Sequence, residues 1–216
     1  FRNVDRYLPD LLESLSRTRC DFAVQFVFVD DASTDRSLDV IDEFETRLPG
    51  AVDVIVNDIA RGPAHGRNAG MRAADGRHLA FIDGDDWVGP DYFSELMWWI
   101  DELDVDFVRT DHVRVFKDKR RLGRAPDPRY YRRLDPSSAV LPATESTMVD
   151  FPYSHSGIFS RRLLDDGLLL MLEGAEGLIG AAHLPFPVVS GLIEAQTVGR
   201  VNAAAPAPRR GTRTDA

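Results

Sequence analysis

The chain has a single cysteine, Cys20, in 216 residues, so no internal disulfide can staple it; a small buried thiol in a reducing compartment is expected. It has no apolar run long enough to cross a bilayer, and its opening residues, FRNVDRYLPD, carry no signal-peptide core. These absences predict a cytoplasmic location, with peripheral contact at the inner face of a membrane left open. Basic charge is scarce as well. The 26 Lys and Arg face 35 Asp and Glu, a net charge of -9, which argues against nucleic acid as a partner. Two nucleotide-binding motifs are also missing: no G-x-G-x-x-G lies at a first turn and no G-x-x-x-x-G-K-[ST] occurs. Any bound phosphate must then be held another way, by a metal.

What is present is enough apolar residue, 44%, for one substantial core. Val4, Tyr7, Leu8, Leu11, Leu12 and Leu15 recur at spacings of three and four and predict an amphipathic helix. Residues 22–29 are almost continuously apolar, as in a strand buried on both faces of a parallel sheet, and end in Asp30 and Asp31. Ser33, Thr34 or Asp35 can cap a following helix that carries Leu38, Ile41, Phe44 and Leu48 and stops at a Pro-Gly. A second strand over 51–57, a Gly-punctuated turn and short helix within 62–76, and a third strand over 77–82 come next. Asp91 can cap a helix through residue 103 with Phe93, Leu96, Met97 and Ile100 on one face, and a fourth strand is expected within 105–116. Trp98 and Trp99 suit the core or an interface. This alternation predicts an α/β fold, a Rossmann-like α/β/α layered domain with a mainly parallel sheet.

In such sheets ligands gather where strands finish, which puts Asp30 and Asp31 on the same edge as Asp83, Asp85 and Asp86 of FIDGDDWVGP. Asp and Gly are also ordinary turn residues, so each acid has a plain structural role open to it. Yet close carboxylates repel unless a cation joins them, and Mg²⁺ or Mn²⁺ prefers oxygen ligands.

VDDASTDRS, followed by GPAHGRNAGMRAADGRHLAFIDGDDW, resembles the nucleotide-sugar-binding half of the family-2 glycosyltransferases, which have the GT-A fold; NVDRYLPDLLESL resembles the helix after that family's first strand. The resemblance covers about residues 3–116 and lies in the ordered combination of motifs. It implies a GT-A domain over residues 1–165 and a divergent tail over 166–216. It further implies metal-dependent, inverting transfer of a sugar from a nucleotide donor, most commonly a UDP-sugar, to a saccharide or polymer acceptor. By position, Asp31 would contact the base with Asp30 beside it, Asp85 would ligate Mn²⁺ or Mg²⁺, and Asp83 would contact ribose or the metal's water. Arg67 and Asn68 match the family's ARN segment and would both be donor-binding residues, with Arg67 supporting the diphosphate or its aspartates.

Two departures qualify the resemblance. The family's first strand should precede Asn3, where only Phe1 and Arg2 stand, so a central strand and part of the base pocket are expected to be missing. FPYSHSGIFSRRLLDDGLLLMLEG resembles an acceptor half, but no Glu-Asp pair follows to supply a general base, and an Ala-, Gly- and Pro-rich tail expected to be disordered takes its place. Glu173 and Glu176 are the nearest carboxylates, and His155 a weaker candidate. Both losses suggest an incomplete or frame-disrupted copy. Residues 112–133 hold nine Lys and Arg against two Asp, a solvated loop or else a surface for an anionic acceptor or membrane. Two alternatives stand beside sugar transfer: an inactive remnant that binds only nucleotide or a protein partner, and a nucleotidyltransferase.

Overall fold

The computed structural model describes residues 1–110, 112–116, 119–123, 132–133, 157–167, 169, 171 and 195–198. Helix α1 (Leu8–Ser16) forms where expected. It buries Leu8, Leu11, Leu12 and Leu15, one stripe at helical spacing, against Phe26 and Phe28 of β1 (Gln25–Asp30) and Val40 and Ile41 of α2 (Ser37–Phe44). Asp35 sits just ahead of α2, and its carboxylate accepts the Ser37 N–H at 3.0 Å, satisfying a donor that the helix itself leaves unpaired. A short 3-10 turn (Glu45–Arg47) then leads into β2 (Ala51–Val56), which pairs parallel with β1 in a register that sets Asp30 beside Val56.

Helix α3 (Pro63–Ala73) covers the other face of β1: Gly66 and Gly70, one turn apart, face Val29. Its Ala64 and Met71 point instead into a second core with Leu79 of β3 (His78–Ala80), Phe107 of β4 (Phe107–Thr110) and Phe159 of β8 (Gly157–Ser160). Strand β8 lies antiparallel between β3 and β4, with the Phe107 and Phe159 rings stacked at 5.6 Å. Helix α5 (Arg162–Asp165) adds Leu163 to this cluster. Helix α4 (Tyr92–Leu103) packs Tyr92, Leu96 and Ile100 on Val105, Val108 and Ile158. Trp99 joins this core in part, while Trp98 is exposed. Asp91 precedes α4 without capping it through its side chain; the carboxylate is drawn into an ion pair with Arg19.

The layered α/β class is therefore observed, with parallel pairing at β1–β2 and again between β4 and β9 (Ala195–Val198). The expected fourth strand divides in two. Its buried part, Phe107 and Val108, stays in the sheet as β4, whereas β5 (His112–Phe116), with Val113 and Val115 exposed, leaves to form a ribbon with β6 (Lys119–Gly123). Strand β7 (Arg132–Arg133) pairs antiparallel with β9. Where the family's first strand was expected, Phe1 sits beside β1: its amino group donates to Val29 O at 2.7 Å and its carbonyl accepts from Asp31 N at 2.8 Å, the alternation of a parallel pair. Among the described residues no helix is long and apolar enough to cross a membrane.

Candidate functional site

The apolar run of β1 carries Asp30 and Asp31 into the interior, at 1% and 6% exposure, and burial at a strand end demands partners for their oxygens. Asp31 finds them in the segment that leads into α3. Its carboxylate accepts Arg61 N at 2.9 Å, Gly62 N at 2.8 Å and Asn57 Nδ2 at 3.0 Å. Gly62 has φ +87° and ψ 169°, a conformation open essentially to glycine alone, and it aims two successive backbone N–H groups at one carboxylate. Burial pushes the Asp31 carboxyl up, but the N–H of Arg61, the Asn57 amide and the N–H of Gly62 outweigh it and hold it below its usual value. Asp31 is thus a fixed anion. Asp30 differs: Oδ2 accepts Ser33 N at 3.1 Å, while Oδ1 is buried with no hydrogen-bond partner among the described residues.

The chain turns sharply after this pair, with Ala32 in the left-handed region at φ 57°. Such a φ is uncommon for a residue with a side chain and is a feature of strained functional turns.

The second acidic strand end reaches the same place through α3. Arg67 Nη2 donates to Asp83 Oδ1 at 2.6 Å, with the Arg67 side chain only 11% exposed, and Arg67 Nη1 is the other buried polar atom without a partner among the described residues. Buried polar groups are nearly always satisfied, so the acceptor on Asp30 and the donor on Arg67 of α3 are groups to which a ligand's polar atoms could be matched. Phe1 lies between the two acidic turns: its carbonyl accepts from Asp31 N at 2.8 Å, and a Cβ built on Gly84, next to Asp83, would lie 3.1 Å from its side chain.

Asp85 stands exposed in the next turn, closed by Asp86 N donating to Asp83 O at 3.1 Å. Among the described residues no three His, Cys, Asp or Glu side chains form a metal cage. The hard oxygen donors of Asp83 and Asp85 instead suit a cation that takes its remaining ligands from phosphate, as Mg²⁺ does when held by one or two carboxylates.

Asn68 turns elsewhere. It is buried, and its side-chain amide pairs with the backbone of Met171: Nδ2 donates to Met171 O and Oδ1 accepts Met171 N, both at 2.9 Å. Glu173, Glu176 and His155 lie outside the described residues. Sequence reasoning missed Asn57, whose place directly after an apolar strand was the available signal, and missed the Asn68–Met171 pairing, for which there was none.

Residues 1–168 match the family described as Glycosyl transferase family 2. EpsH of Bacillus subtilis is 32% identical over 116 residues, 54% of this chain and 33% of that protein. The poly(ribitol-phosphate) beta-N-acetylglucosaminyltransferase TarS of Staphylococcus aureus is 26% identical over 167 residues, 76% of this chain and 27% of that protein. The chain thus spans a third or less of these relatives' length. A crystal structure of TarS in complex with UDP-GlcNAc superposes with a TM-score of 0.66 at 20% identity, covering 91% of this chain and 56% of that one. The mannosyltransferase PcManGT of Pyrobaculum calidifontis, in complex with GDP-Man and Mn²⁺, gives 0.57 at 19% identity, covering 98% and 56%. These two likenesses establish a common GT-A fold.

Proposed function

The chain belongs to glycosyltransferase family 2, and from that premise we propose that it transfers a sugar from a UDP-sugar to a saccharide or anionic polymer acceptor, with inversion. One observation carries the proposal: Arg67 holds Asp83 of the second acidic strand end, and one buried acceptor on Asp30 and one buried donor on Arg67 are left unpaired among the described residues. Both suit a ligand that offers base or ribose N–H and O–H donors on one side and phosphate oxygens on the other.

In this reading Asp31, already anionic, accepts an N–H of the base, and Asp30 Oδ1 takes a second donor. Arg67 presents Nη1 to the diphosphate while Asp83 fixes its plane. Asp83 and Asp85 hold a Mn²⁺ or Mg²⁺, which supplies Lewis-acid stabilisation of the departing diphosphate's charge. The acceptor hydroxyl attacks the anomeric carbon as the sugar–phosphate bond breaks; the electron pair leaves with UDP and the hydroxyl proton passes to a carboxylate of the segment beyond Met171, where Glu173 and Glu176 lie. An anionic acceptor is supported by the basic run over 112–133, in which Arg120 is exposed on β6.

The test is sugar transfer from UDP-GlcNAc to poly(ribitol phosphate) in Mn²⁺, following labelled sugar and released product. Incorporation with UDP release, reduced at least a hundredfold by Asp85→Asn, is expected. Pyrophosphate released from UTP in the presence of GlcNAc 1-phosphate, with no sugar transfer from UDP-GlcNAc, would indicate nucleotidyl transfer, and nucleotide binding without turnover on any saccharide acceptor would indicate a binding remnant.

A further inference from the structure

The side chains of Arg67 and Asn68 are neighbours in α3 but point to different structures, about 100° apart around the helix axis as its 3.6-residue turn requires. Arg67 meets Asp83, and Asn68 grips the backbone of Met171, 103 residues away in the chain. The paired 2.9 Å hydrogen bonds imitate a strand neighbour, since one amide supplies both the donor and the acceptor that a peptide unit needs. Both residues are 2% exposed, so neither partner can turn to water if the other is lost. The Met171 side chain is locked beside them, in the cluster with Ala64 and Met71 of α3 and with Leu169.

We infer that Asn68 is a positioning residue: it clamps Met171, near the end of the segment that resembles an acceptor half, onto the helix that presents Arg67 to the donor, and it does not contact the donor itself. Glu173 follows Met171 by two positions in the sequence, and Met171 is the last described residue before it. The inference rests on the proposed sugar transfer for its consequence, and on the hydrogen bonds alone for the clamp.

Both parts are tested in the full chain with Asn68→Ala and the milder Asn68→Asp, which keeps an acceptor for Met171 N–H but sets a carboxylate against Met171 O. Hydrogen–deuterium exchange at the Met171 amide should quicken at least tenfold in both variants while the β1 amides keep their protection. Mn²⁺-dependent UDP affinity should stay within twofold of the unaltered chain, and transfer should fall at least tenfold with the donor KM unchanged. Unaltered exchange at Met171, or exchange that rises equally in β1, would overturn the clamp. A loss of UDP affinity as large as the loss of transfer would make Asn68 a donor contact and overturn the assignment. If the unaltered chain binds no UDP, the sugar-transfer reading fails, and the exchange result still decides the clamp.

Discussion

At the scale of single residues, Asp31 shows how a strand end becomes a charged site. Its three donors outweigh the cost of burial and leave its pKa below the usual 3.8. A carboxylate with a folded pKa below its unfolded one adds stability that is complete above the unfolded value and is lost as pH falls through the folded value. Asn57→Ala removes one donor and should cost about 1 kcal/mol at pH 7. The cost should shrink as the pH drops below about 4, where the unfolded chain takes up the proton. Urea denaturation at pH 7 and pH 3 measures this; an equal cost at both would show that Asn57 does not act through the Asp31 charge. Asp31, Asp83 and Arg67 could be singled out in the sequence because the acids follow apolar runs and Arg67-Asn68 aligns with the end of the family's ARN segment, although acids at such places also serve as turn residues. Asn57 was not, because an Asn after a strand reads equally well as a turn residue. Asn68 was read with its neighbour, although adjacent helical positions face different directions.

At the scale of elements, two glycines mark how closely the layers approach. A Cβ on Gly50 would lie 2.2 Å from Val24 O, at the point where Ala51 N donates to that same carbonyl and starts the β1–β2 pairing. A Cβ on Gly70, within α3, would meet Val29 Cγ2 at 3.5 Å, an ordinary contact. Gly50→Ala should therefore destabilise by about 1–3 kcal/mol, whereas Gly70→Ala should be neutral or stabilise by up to about 1 kcal/mol through helix propensity. Thermal melts of the two variants decide it, and a Gly70→Ala as damaging as Gly50→Ala would contradict the packing of α3 on β1. Helices α1 and α4 were legible from their 3.6-residue apolar stripes, and β1 from its unbroken apolar run. The division between β4 and β5 was not, because alternating Val and Arg after Thr110 suits a sheet strand and a two-stranded ribbon equally. The place of β8 between β3 and β4 was hidden for another reason: the partners lie far apart in sequence, and pairing across such distances leaves no local pattern.

At the scale of the whole molecule, α3 is the element on which the fold and the site both turn. Gly66 and Gly70 rest on β1, Ala64 and Met71 enter the core around Phe107 and Phe159, Arg67 reaches the second acidic strand end, and Asn68 holds Met171. An 11-residue helix thereby brings Asp31 and Asp83, 52 positions apart in the sequence, to a common edge. The central claim is that this edge receives a nucleoside diphosphate together with a divalent cation. Titration calorimetry of the full chain with UDP, GDP, CDP and TDP, each with and without Mn²⁺ and with Asp85→Ala as control, tests it most directly. The account predicts binding of UDP that requires Mn²⁺ and is lost in Asp85→Ala; a folded chain that binds none of the four, or binds UDP equally well without metal and with Asp85→Ala, would contradict it.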